Sequence, residues 1–414
     1  MQKIMIFHLL FIFNLAIFSC QKEPVPEPEP PKPTTPKLDI LWQKPVSQDT
    51  LEYYINVHFA QGGQVLYCTN LSSPTATIQA RNGENGSLKW IYNSFEFPVS
   101  SFNLFSELFV HDEKIIVEDD GDVYCIDYLS GQRLWYKKGF SSPLGSNKIG
   151  NELYTIQTTG SYPNTTSSSL VRCKIESFFE GWDTVYTRLA VPDSFPIFNT
   201  PVCWVNPQGD SILVFEDFQG YNGSPSSAGR GKSYLTALNL HTRQVAWRYD
   251  GFKGSYIAPP WVDEDRLYVT GSSVYCIDLN TGSLLWQKPI EGGADGSLVT
   301  HNDILVVQGG QTGMWGLNKY TGDQIWYNKD TDGNVWELIL FDGIVYCTSS
   351  GYGRLYAVNA ETGATIWKEQ SPNRKNPKTG NASFANAGVA IDPERRLLYT
   401  ADKYYVMCIK LPEK

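Results

Sequence analysis

No two cysteines of this chain are adjacent, and none pair in a C-x-x-C or haem-attachment spacing. That excludes the usual redox-disulfide and cytochrome motifs and gives no zinc-ribbon framework. There are five histidines in 414 residues, His8, His58, His111, His241 and His301, too scattered to define a metal site or a Ser-His-Asp set. No nucleophile elbow and no H-E-x-x-H run occur. No basic stripe with interleaved aromatics is present and the formal charge is −9, so nucleic acid is not the expected partner. The body of the chain also lacks helical periodicity.

What the sequence has instead is a repeated phrase. Val274 to Trp286 reads VYCIDLNTGSLLW. A strand-like run, Val274-Tyr275-Cys276-Ile277, leads through Asp278 to Asn280-Thr281-Gly282, and a second short run ends in Trp286. Asp and Asn bond back to nearby backbone and Gly accepts positive φ, so the phrase is a hairpin. A ten-residue step from a small residue to an aromatic recurs at Ala80–Trp90, Cys125–Trp135, Ala237–Trp247, Cys276–Trp286, Gly316–Trp326 and Ala357–Trp367. Asn82, Asp127, Asn239, Asp278, Asn318 and Asn359 stand two places after the small residue each time. A period of about 40–50 residues marks a propeller array.

Each phrase supplies the two outer strands, C and D, of a four-stranded blade, and the apolar runs before it supply A and B. Trp42, Trp90, Trp135, Trp247, Trp286, Trp326 and Trp367 give seven D-strand aromatics. The gap between Trp135 and Trp247 holds two blades, with Tyr186 as the eighth aromatic and Cys173 assigned to the small-residue column. Ile40-Leu41-Trp42 reads as a D strand with nothing before it. The C-terminus supplies A, B and C with no D after them. The expected fold is therefore all-β: a single eight-bladed propeller of four-stranded antiparallel blades over residues 38–414, its last blade closed by the N-terminal strand. Spread one to a blade, the cysteines after Cys20 read as core thiols.

The phrase resembles the repeat of the pyrroloquinoline-quinone-type (PQQ-like) β-propeller family over nearly all of 38–414. That resemblance implies a Trp packed between neighbouring blades. It also raises a quinone-dependent dehydrogenase, whose vicinal cysteine pair this sequence does not have. No cofactor and no resident metal are expected. Gly231-Lys232-Ser233 mimics the end of a phosphate loop, but Ser226 stands where a glycine is needed and a strand follows instead of a helix. Asp330, Asp332, Asn334 and Glu337 form a shortened calcium-like run, read more simply as an inter-blade turn.

Residues 1–19 read as a leader: Lys3, then an apolar stretch from Ile4 to Phe18 too short to span a bilayer. Ending at Ser19-Cys20, it resembles a bacterial lipoprotein signal peptide with Cys20 as the lipidated residue; an ordinary secretory leader is the alternative. Gln21 to Lys37 carries seven prolines and reads as an extended tether. Together these suggest a cell-envelope lipoprotein of the outer membrane, on its periplasmic or surface side. They resemble the propeller lipoproteins of the outer-membrane β-barrel assembly machinery, which bind protein partners and perform no chemistry. A carbohydrate-binding or carbohydrate-processing surface propeller is the second reading. The D–A and B–C loops, 91–104, 157–169, 187–199, 217–233 and 368–386, are the long and varied ones. They and two shorter loops nominate Trp336, Tyr352, Phe95, Phe97, Phe195, Tyr221, Arg230 and Phe384 as a ligand face.

Overall fold

The computed structural model describes residues 38–412, apart from 47–52, 72–76, 96–107, 120–121, 138–146, 161–164, 177–180, 192–193, 199, 222–230, 254–259, 295, 311, 333–336, 350, 376–381 and 386. The leader, Cys20 and the proline segment lie outside the described residues. Among the described residues every regular element is a strand, and the strands form eight antiparallel sheets. Blade 5 shows the plan. Trp261–Asp263, Arg266–Thr270, Ser273–Asp278 and Leu284–Pro289 pair in sequence order from the channel outward.

The ring closes as its ends suggest. Asp39–Pro45 pairs with Tyr405–Lys410, beside Leu397–Ala401 and Ala390–Asp392. A blade joined by hydrogen bonds between the two ends of the chain leaves no open blade-to-blade edge.

The ten-residue step has a geometric cause. The small residue faces the aromatic directly across the C–D pair: Ala80 faces Trp90, Cys125 faces Trp135, Cys276 faces Trp286 and Cys408 faces Trp42. A bulge follows the small residue on the hairpin side, for instance between Cys276 and Ile277. The bulge turns the indole out of its own sheet. It then lies on the C–D turn of the next blade, donating from Nε1 to a turn carbonyl. The acceptors are Gly83 O for Trp42 (2.8 Å), Tyr128 O for Trp90 (3.2 Å), Leu279 O for Trp247 (2.7 Å), Lys319 O for Trp286 (3.1 Å) and Ala360 O for Trp326 (3.0 Å). Each acceptor directly follows the Asn or Asp of the phrase. That side chain caps its turn: Asn318 Oδ1 accepts from the amides of Tyr320 and Thr321 at 2.9 and 3.0 Å.

The glycine of the phrase has two reasons to be glycine. At Gly322 φ is +76°, and a Cβ there would stand 2.7 Å from the Trp286 ring. Gly86 under Trp42, Gly131 under Trp90, Gly282 under Trp247 and Gly363 under Trp326 repeat both conditions.

Two expectations need correction. Cys173 is not in the small-residue column: Leu170 faces Tyr186, and Cys173 lies three residues on, opposite Leu153. The Thr-Gly landmark is missing in that blade, so the register had nothing to fix it. The expected loop 217–233 is also shorter than its bounds. Strands Ser211–Tyr221 and Gly231–Asn239 run well past the expected turn, and both Ser194–Phe198 and Val202–Val205 pair with the first of them, giving this blade a fifth strand. The seven described cysteines are thiols, none in a disulfide. Burial pushes those of Cys125, Cys276, Cys347 and Cys408 up to about 12, which leaves them protonated at neutral pH.

The blade-to-blade contact predicts coupled mutations. Trp286→Ala should cost about 3–5 kcal/mol, as truncation of a large buried aromatic does. Gly322→Ala should cost at least about 1–2 kcal/mol for its left-handed backbone alone, and more while the indole is in place. Denaturant unfolding of both single variants and the double variant should give a coupling energy of about 0.5–3 kcal/mol. Strict additivity would refute the contact.

Candidate functional site

Two faces are available. The A–B and C–D turns share one, and the D–A and B–C loops share the other. On the loop face of blade 7, Gly351-Tyr352-Gly353 joins strands Ile344–Thr348 and Arg354–Asn359. Tyr352 is 66% exposed. Its loop is fixed from behind: the Phe384 amide donates to Gly353 O at 3.0 Å, and a Cβ on Gly353 would meet Ser383 at 2.4 Å. The Arg354 guanidinium lies 5.4 Å from the centre of the Tyr352 ring. It is steadied by Asp332 at 3.4 Å, whose carboxylate also accepts the Tyr356 hydroxyl. The result is an exposed aromatic and a cation held by a rigid blade, the composition of a binding anchor. Asp332 of the calcium-like run is thus turned toward a cation already in the protein.

The other nominated residues divide. Phe195 and Phe384 are buried, 4% and 0% exposed, so they pack the blades and cannot reach a partner in this arrangement. Phe384 joins Trp367 and Leu411 in the core between blades 7 and 8. Phe195 lies over Gly220, where a Cβ would be 2.1 Å from its ring. Phe95 is half-buried, edge-on to Tyr92 and Tyr124 at 4.9 and 5.1 Å. Trp336, Phe97, Arg230 and the side chain of Tyr221 lie outside the described residues.

The seam between blades 3 and 4 differs from these five locked seams. Tyr186 replaces the D-strand Trp, and its ring packs on Phe198 and Phe215 at 5.6 and 5.5 Å. Arg243 replaces the turn glycine at φ +58°. Charged groups fill both ends of the seam. Toward the loops, Asp217 is wholly buried between Arg188 and Arg248, the latter at 2.9 Å, and both guanidiniums stack on Tyr234 at 5.3 and 5.2 Å. Toward the turns, Asp183 accepts from Arg172 at 3.0 Å and from Arg243 at 2.7 Å, and Arg172 also reaches Glu152 at 3.3 Å. Burial alone would raise the Asp183 carboxyl, but hydrogen bonds and charge from the two arginines hold it below the usual carboxylate range.

Sequence reasoning missed one further group. His111, Asp112 and Glu176 bring three potential metal-ligand atoms together on the turn face of blades 2 and 3. However, the Lys148 ammonium stands 3.2 Å from His111 Nδ1, and Nε2 is hydrogen-bonded to Asn151 Oδ1. A lysine ammonium only donates, so Nδ1 faces a donor and Nε2 an amide oxygen. The arrangement is a hydrogen-bonded histidine beside a cation, a poor beginning for a metal centre. Only adjacency around the ring joins residues so distant in sequence.

Eight antiparallel blades, seven of four strands and one of five, define an eight-bladed β-propeller. Comparison with known proteins agrees. The family profile described as "Outer membrane protein assembly factor BamB" matches residues 231–411. The crystal structure of BamB from Moraxella catarrhalis superposes with a TM-score of 0.59 at 14% identity, covering 91% of this chain and 99% of that one. Among curated proteins, a tetrathionate hydrolase of Acidithiobacillus ferrooxidans is 26% identical over 139 residues, 33% of this chain and 28% of that protein. A polyvinylalcohol dehydrogenase of a Pseudomonas species is 26% identical over 215 residues, 40% of this chain and 32% of that protein. The chain thus spans about a third of the length of these curated relatives. A quinone centre with a vicinal cysteine pair does not fit the residues here, because the seven described cysteines stand on seven different blades.

The pairing of Asp183 fixes a pH dependence. A carboxyl lowered on folding contributes stability that is complete above its unfolded pKa, about 4, and is lost as pH falls through the lower folded value. The melting temperature of Asp183→Asn should therefore lie below that of the parent at pH 7 and converge on it toward pH 2. A constant difference across that range would contradict the assignment.

Proposed function

We propose that the protein is a non-catalytic scaffold of the cell envelope, a lipoprotein anchored at Cys20 whose loop face holds protein partners at the outer membrane. The observation that carries this reading is the Tyr352–Arg354 pair, presented on a short loop by a rigid blade. The exit of the chain supports it. Asp39 begins the D strand of blade 8 opposite Lys410, at the turn end, so this strand starts at the face away from those loops. Seventeen residues of polyproline II would span roughly 50 Å, enough to present the loop face well away from a membrane. The likeness to BamB supports an envelope role and protein binding in general terms. The polyvinylalcohol dehydrogenase match favours a second reading as an oxidoreductase, and the cysteine placement argues against the quinone form of it.

Two measurements test the proposal. Trp336→Ala with Tyr352→Ala should sharply reduce cross-linked recovery of membrane proteins while leaving the melting temperature unchanged. Equal recovery from this variant, with loss on mutating the A–B turns, would move the partner site to the opposite face. Cys20→Ala should shift the protein from the membrane fraction to the soluble one. A variant that still sediments with membranes would overturn the anchor.

A further inference from the structure

The irregular seam between blades 3 and 4 opens on the turn face as a cleft of about 720 Å³. Its polar walls are Asn151, Glu152, Arg172, Asp210, His241 and Arg243. The cleft exists because the repeat's own filling is missing there. In the neighbouring seam between blades 4 and 5, Trp247 lies on Gly282 at the corresponding place. Between blades 3 and 4 the Tyr186 ring turns away onto Phe198 and Phe215, its hydroxyl accepts from Arg248 at 2.9 Å, and Arg243 takes the glycine position.

The two arginines of the cleft are already matched with carboxylates. Arg172 and Arg243 share Asp183, Arg172 also holds Glu152, and Asp210 accepts from Asn239 at 3.0 Å. An anion would have to compete with Asp183 and Glu152 for the guanidiniums. A cation would have to compete with the guanidiniums for those carboxylates. A hydroxylated neutral molecule can do what neither can: donate to a carboxylate and accept from a guanidinium through the same hydroxyl, leaving each pair intact. The groups remain open enough for this, with Arg243 47%, Glu152 29% and Arg172 27% exposed at the side chain. The volume is that of a small-molecule site, about 300–1,000 Å³, too small for a folded partner.

We infer that this cleft binds a neutral saccharide of one or two rings, free or at the end of a longer glycan. The site is separate from the loop face and does not depend on the partner reading. Saturation-transfer NMR on the full chain tests it. The probes are glucose, galactose, mannose and N-acetylglucosamine, the disaccharides maltose, cellobiose and lactose, and dextran, with glucuronate and glucosamine as charged counterparts. At least one neutral saccharide should receive transfer, more strongly than either charged sugar. A free sugar alone marks a soluble ligand, and dextran as well marks a glycan end; either supports the site. Arg243→Gly relieves a left-handed backbone and so preserves the fold, but removes a charged donor. It should weaken binding at least about tenfold. Tyr186→Trp combined with Arg243→Gly rebuilds the regular filling and should abolish binding while raising the melting temperature. The inference falls if no neutral saccharide receives transfer, if a charged sugar binds better, or if Arg243→Gly binds as tightly as the parent.

Discussion

The architecture depends on an indole lying against a glycine of the next blade. Each such contact buries a large ring, satisfies its Nε1 with a turn carbonyl, and fixes the angle between two sheets. The glycine is required twice over, by a left-handed backbone and by the absence of room for a Cβ. The cap on the same turn holds that carbonyl in position. A propeller of separate sheets has no strand pairing between blades to align them, so side-chain contacts must do so. Trp42 matters most in this respect. It hydrogen-bonds to Gly83 of blade 1 from a strand that completes blade 8, so one residue joins the end of the ring to its beginning.

The seam between blades 3 and 4 lacks this contact and is built differently as a result. Tyrosine and arginine take the places of tryptophan and glycine, and ion pairs occupy the two ends. Partly exposed ion pairs contribute little stability because water already solvates the separated charges. The buried Asp217 pair offsets its own desolvation more than it adds to stability. The same substitutions accompany a polar concavity at that seam. Irregularity in a repeat protein is thus both a weaker joint and a place for chemistry.

On the loop face, most aromatic residues serve the fold. Phe195 and Phe384 close over blade ends as core, and Phe95 packs against Tyr92 and Tyr124. Tyr352 differs because its loop is too short to fold back, leaving the ring in solvent beside Arg354. The fold shared with BamB places no residue of a site, since one scaffold hosts many functions and the loops carry them.

The amino-acid order alone determined the blade count, the ring closure and the positions of the D-strand aromatics. Those features rest on local spacing, and a ten-residue step between a small residue and an aromatic survives any loop length. It failed at Cys173, where the Thr-Gly landmark is missing and several registers were equally compatible with the apolar pattern. Tertiary structure alone decided which aromatics are exposed, because the rings of Tyr352 and Phe384 read alike in sequence and differ only in what lies above them. It alone brought Arg172, Asp183 and Arg243 together. Those residues belong to two blades, and only the closed ring makes neighbours of side chains that the repeat pattern treats as unrelated.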